Sequence, residues 1–191
     1  NPFPQLLSGS QASCSTSMGC RRTVTLDPDG TGAQHSDYSF LNVGAFPLEN
    51  FSMFAMRESV PDSTTITTWS GEPIPFKACS ILNKSWTTLD LTDIGPIMPG
   101  ERLMFKYDTR ISDLATKESD GTWTYWDGQQ WDSYPTCDYE QTITLPKGAK
   151  LIETSPTPDC IEDAGERIVI HYKARMPGNR NFFLQIKYRL D

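Results

Sequence analysis

No stretch of the 191 residues approaches the roughly eighteen consecutive apolar side chains that a membrane-crossing helix requires, so no membrane span is expected. Histidine is scarce, at two residues, and the motifs that carry common chemistry are missing. There is no His-Glu-x-x-His, no Gly-x-Ser-x-Gly, no Gly-x-x-x-x-Gly-Lys and no Gly-x-Gly-x-x-Gly. Cys-x-x-Cys zinc knuckles are missing too. His35 sits in a polar stretch and His171 on the polar side of a strand, so both read as solvated residues rather than catalytic bases. Carboxylates are plentiful, but nothing selects one pair for glycosidase chemistry. Neither enzyme activity nor a metal or cofactor is expected. An excess of cations is also lacking: 24 Asp and Glu against 17 Lys and Arg leave −7, which argues against a nucleic-acid partner whose phosphates would need neutralising.

What the chain does have is five cysteines, Cys14, Cys20, Cys79, Cys137 and Cys160, and two sequons, at Asn50 and Asn83. An oxidising location is the natural home of such a set, whether extracellular, at a cell surface or on a virion surface. Cys137 and Cys160 flank two strand-like stretches, so a bridge between them would close a loop worth roughly 3 kcal/mol by chain entropy. A second pair, Cys14 with Cys20, would tie down residues 1–22, a Ser- and Gly-rich stretch without periodicity that reads as an extended arm. The opening NPFPQLLSGSQAS lacks a charged n-region and a long apolar core, so it is expected to be a processed end rather than a signal peptide.

From residue 23 to 191 one domain is expected, in short strands broken by Gly, Pro, Asp and Asn. Thr64–Trp69, Ile74–Ile81, Trp86–Leu91 and Arg102–Ile111 are examples, and only residues 112–121 resemble a helical turn. The fold class is therefore all-β: an antiparallel β-sandwich, jelly-roll or immunoglobulin-like, with an extended N-terminal arm. DPDG at Asp27–Gly30 reads as a plain turn, because the further acids of a calcium loop are missing. Scattered methionines read as core filler rather than copper ligands.

Two stretches suggest contact surfaces. Ile168–Arg175 and Phe182–Leu190 alternate cleanly around Met176-Pro177-Gly178-Asn179, which predicts a C-terminal hairpin. Its polar side would gather Lys173, Arg175, Lys187 and Arg189 on one positive face, since residues 166–191 carry +4 and the rest −11. The second stretch is TWTYWDGQQW, where Asp127-Gly128 predicts a tight turn, with Trp123 and Tyr125 on one face and Trp126 and Trp131 on the other.

The leading expectation is a non-enzymatic extracellular or particle-surface module acting in assembly or adhesion. It would dock other protein subunits, as a homo-oligomer or larger assembly, through the positive face. One alternative is a carbohydrate-binding sandwich that stacks glycans on Trp123, Tyr125, Trp126 and Trp131. Another is a protruding domain of a virus capsid or spike.

Overall fold

In the computed structural model the described residues are 16–55, 57, 59–81, 84–130, 136–177 and 181–190. Strand β1 (Thr16–Leu26) turns through Asp27–Thr31 into β2 (Gly32–Asn42). The turn closes with Gly30 N–H donating to the Asp27 carbonyl at 3.1 Å and Thr31 N–H to Asp29 Oδ1 at 3.0 Å. Gly30 has φ +87°, and a Cβ there would lie 2.5 Å from the Ala115 carbonyl oxygen, so glycine alone fits. Asp27 pairs with Arg110 at 2.7 Å.

These two strands lie within a seven-stranded sheet. Its order is β12 (Cys160–Asp163), β13 (Ile168–Pro177), β10 (Thr136–Thr144), β1, β2, β7 (Arg102–Ile111) and β4 (Thr65–Thr68). All neighbours run antiparallel except β1 and β10. A four-stranded sheet, β11 (Lys150–Ser155), β14 (Asn181–Arg189), β9 (Thr122–Gln130) and β8 (Ala115–Lys117), packs against one part of it. A three-stranded sheet, β3 (Asn50–Ala55), β6 (Lys84–Asp90) and β5 (Phe76–Ile81), covers another. The class is all-β with antiparallel pairing dominant.

Two apolar clusters follow from the two covers. One joins Phe40, Phe105, Tyr107 and Ile66 of the large sheet to Phe51 and Leu89 of the three-stranded sheet, with Phe40 and Phe51 ring centroids 4.1 Å apart. The other joins Val24, Ile143 and Ile170 to Tyr125, Leu184, Ile186 and Tyr188. Truncating one of these buried aromatics would cost about 3–5 kcal/mol.

Four expectations need correction. Residues 168–175 and 182–190 are strands with the expected inward faces, but they do not form a hairpin: β13 pairs with β10 and β12, and β14 with β9 and β11. Their apolar faces meet across the core instead of side by side, since alternation marks a half-buried strand without saying which strand it hydrogen-bonds. Asp127-Gly128 is not a turn either, and β9 runs straight through it beside Leu184 and Phe183. Residues 16–22, expected in the arm, are the start of the central strand β1, and residues 1–15 lie outside the described residues.

Finally, no Cys137–Cys160 bridge can form. Cys160 faces His171 and Cys137 faces Met176, two strands apart and five residues out of step. At ~4.8 Å per strand and ~3.4 Å per residue they are roughly 20 Å apart, where a disulfide needs Cα atoms within about 7 Å. Cys20 and Cys160 are free thiols, the first buried and the second exposed, and Cys14 is outside the described residues.

Candidate functional site

The polar groups most deeply held lie between the two apolar clusters. Along β1 the inward positions are Cys20, Arg22, Val24 and Leu26, and along β10 Tyr139, Gln141 and Ile143, with buried Leu145 just past its end. Arg22 and Gln141 are register partners, so a charge and an amide interrupt two apolar rows at the same level. Asp127, inward on β9 from the facing sheet, meets them. Its Oδ2 accepts from Arg22 Nη1 at 3.0 Å, Tyr125 Oη at 3.0 Å and Gln141 Nε2 at 2.8 Å. Oδ1 accepts the Gly128 N–H at 2.7 Å. Arg22 Nη2 donates to Tyr38 Oη at 3.2 Å, and Tyr139 Oη to Gln141 Oε1.

Burial alone would raise the Asp127 carboxyl, but the Arg22 guanidinium and the Gln141 and Gly128 hydrogen bonds outweigh it and hold the group below the usual carboxylate range. Burial raises the Tyr125 and Tyr139 phenols well above their ordinary value and pushes the neighbouring Cys20 thiol up to about 11. A thiol held that way is no nucleophile at neutral pH. The hydrogen bonds from Arg22 and Gln141 of the large sheet to Asp127 of the four-stranded sheet make the cluster a strut joining the two sheets.

A second cationic contact lies beside it. Arg57, two residues past β3, donates Nη2 to the Trp126 carbonyl at 2.6 Å and Nη1 to the Asp113 carbonyl. Its guanidinium carbon lies 5.0 Å from the Trp126 ring centroid. Strand β8 pairs with only Trp123–Tyr125 of β9, so Arg57 satisfies a carbonyl on the edge that β8 leaves open.

The residues singled out by sequence are dispersed. Lys173 and Arg175 are on the large sheet, paired with Glu140 at 3.5 Å and Asp138 at 3.4 Å. Lys187 and Arg189 are on the four-stranded sheet, with Lys187 3.4 Å from Glu153. The two pairs belong to different sheets that face each other across an apolar cluster, and they form no common positive face. Trp123 and Tyr125 do share a face, but it is the inward one: Tyr125 is fully buried, and Trp123 stacks on Tyr188 with centroids 6.4 Å apart. Trp126 is 41% exposed on the other face. Trp131 and Asn83 lie outside the described residues, and Asn50 is exposed at the start of β3.

Both histidines stand on the uncovered face of the large sheet. His35 contacts Asp108 at 2.7 Å and Asp37 at 3.2 Å, and His171 contacts Thr142 at 3.1 Å and Glu162 at 3.4 Å. Three strand spacings, about 14 Å, separate them, too far to share an ion. Among the described residues no group of three or more His, Cys, Asp or Glu is placed to hold a metal.

No protein-family model matches this chain, and no curated protein matches its sequence. Solved structures do share its fold. An M1 zinc metallopeptidase from Deinococcus radiodurans superposes with TM-score 0.56 at 9% identity, covering 90% of this chain and 41% of its own. The same enzyme as a point mutant bound to a Tyr-Ser-Ala substrate gives 0.56 and 9%, covering 90% and 42%. A candidate protease from Parabacteroides distasonis gives 0.56 and 12%, covering 91% and 40%. At these identities the likeness shows the fold alone, and the chain spans about two-fifths of the length of the chains it resembles.

That likeness corrects the functional expectation. The fold is one that peptidase chains contain as a part, so the reading as a structural assembly or adhesion module is overturned, and with it the carbohydrate-binding and virion alternatives. The residues present do not fit the zinc of those enzymes, since the chain has neither a His-Glu-x-x-His motif nor, among the described residues, a cluster able to replace it.

Proposed function

We propose that this chain is a peptidase-related β-domain with no catalytic centre of its own, the companion of a zinc-dependent catalytic domain. The observation that carries the reading is the superposition over nine-tenths of this chain on a part of the M1 metallopeptidases. The domain would shape the surroundings of a catalytic centre held elsewhere, and a hydrolytic domain would be its partner. Its sandwich would be of the kind those peptidases contain. The parallel β1–β10 pair at the middle of the large sheet weighs against a jelly roll, which is antiparallel throughout.

Two measurements on Tyr-Ser-Ala hydrolysis test this reading. The chain purified alone is expected to release no tyrosine, even with added zinc. The native protein, isolated by an affinity tag from its source cells, is expected to carry zinc and a chelator-sensitive activity on the same peptide. Hydrolysis by the lone chain would refute the non-catalytic role. A native preparation without zinc or peptidase activity would refute the peptidase relation.

A further inference from the structure

The loops joining β2 to β3 and β6 to β7 carry large apolar side chains that stand exposed. Phe46 is 79% exposed, Val43 51% and Met98 45%. Single exposed apolar residues need no explanation. Four on two adjoining loops whose backbone is fixed, Ile94 at 40% being the fourth, do call for one.

What fixes the loops is Asn42, fully buried at the end of β2. Its Nδ2 donates to the Phe46 carbonyl at 2.8 Å and the Ile97 carbonyl at 2.9 Å, and its Oδ1 accepts the Gly44 N–H at 2.9 Å. Its own N–H and carbonyl pair with Glu101 and Gly100. Leu48 and Ile97 exchange both backbone hydrogen bonds, at 3.0 and 2.9 Å, and their side chains pack on the core. Phe46 and Met98 each lie within two residues of that bridge, so they are presented together on a braced support. A residue whose backbone is held in this way has already met the main-chain part of the ordering cost that an interface anchor usually carries.

The charge around the tip decides what covers it. Residues 43–49 and 91–101 contain Glu49, Asp93 and Glu101 and no Lys or Arg, and the next cation in the chain, Arg102 at the start of β7, donates Nη1 to Ser39 Oγ on β2. An anionic bilayer is disfavoured, because apolar membrane tips rely on flanking cations. A second copy is disfavoured as well, since each chain carries −7 and the acidic tips would meet like charge. We infer that the Val43–Phe46–Met98 tip is an interaction surface for a different protein domain, one offering an apolar socket with a rim of Lys or Arg. The surface stands whether or not that domain is a peptidase.

The test places the photo-crosslinker p-benzoylphenylalanine at position 46 of the full chain in its source cells, with position 152, also exposed and apolar but on β11, as control. The expected product is a crosslink from position 46 to a heterologous protein, at a segment whose neighbours include Lys or Arg, in a yield that falls at high salt. Phe46→Asp should weaken co-purification of that protein by about thirtyfold or more, as loss of an interface anchor does. Its melting temperature should not change, because the ring is outside the core. Adducts to a second copy or to lipid, equal yields at 46 and 152, or a partner segment without cations would overturn the inference.

Discussion

Replacing Asp127 by Asn probes the strut between the sheets without changing its size. The carboxylate receives four hydrogen bonds, three of them at Oδ2. An amide cannot accept at both ends. In one orientation its NH2 confronts the Gly128 N–H, and in the other it confronts the donors from Arg22, Tyr125 and Gln141. Either way Arg22 keeps its charge in a place where its side chain is 7% exposed and that of residue 127 is 16% exposed, and it loses the carboxylate charge that faces it there. Breaking one side of a buried pair costs about 3–5 kcal/mol. For a chain of this length each kcal/mol is worth about 2–4 °C, so the melting temperature should fall by roughly 6–20 °C. Removing the stranded charge as well should help: Arg22→Met with Asp127→Asn is expected to be more stable than Asp127→Asn alone. The pH dependence has a fixed sign. A carboxyl held low when folded stabilises above its unfolded value of about 3.9 and loses that contribution as pH falls through the folded value. The gap between wild type and Asp127→Asn in urea unfolding should therefore be constant from neutrality to about pH 4 and narrow below it. Additive costs in the double variant, or a gap that widens in acid, would refute the strut.

Two further perturbations test neighbouring features. Cys20 has an ordinary value of 9.0 and stands at about 11 when folded, so its contribution is complete below pH 9 and is lost as pH rises through 11. At ~1.4 kcal/mol per unit this is about 2–3 kcal/mol of alkaline loss. Cys20→Val should flatten that part of the stability curve, and an unchanged slope would show that the thiol is not its source. A Cβ on Gly128 would lie 2.3 Å from Phe183 Cδ1 on the neighbouring strand. Gly128→Ala should thus displace the ring and cost about 1 kcal/mol, yet be neutral or stabilising in a Phe183→Ala background. Equal effects in both backgrounds, read by denaturant midpoints, would mean that the ring does not cover the glycine.

Much of the local structure was legible because period two is a local property. The inward faces of β13 and β14 and the alternation of β7 are all present in the sequence and all present in the fold. Pairing was not legible, because residues 168–175 and 182–190 bury their apolar faces equally well side by side or one above the other. The choice is made by β10, β12, β9 and β11, which supply the actual hydrogen-bond partners. Asp127-Gly128 misled for a related reason. Its short-range turn preference is overridden by Arg22, over a hundred residues away in sequence, and by a ring that needs a bare glycine beneath it. A signal for the strut did exist: Arg22 and Gln141 each occupy an apolar parity position in their rows. Reading residues up to 22 as an arm hid the first of these, and a single polar residue in an apolar row carries little weight until its partner is known.

The placement of the polar layer constrains how a companion domain can use this one. Two covers sit on one large sheet, and without cross-ties each could shift over its own apolar cluster at little cost in area. Arg22 and Asp127 tie the large sheet to the four-stranded cover, and Arg57 reaches from the end of β3 to β9 and the Asp113 carbonyl, linking the two covers. These contacts are directional, so sliding by one residue would strand charges or carbonyls rather than merely rearrange apolar contacts. The braced loops around Asn42 are joined to the same large sheet through β2 and β7. The Phe46 tip therefore has a fixed position relative to the uncovered polar face of that sheet. A partner meets a preset shape, and its affinity should depend on the fit at the tip rather than on ordering this domain.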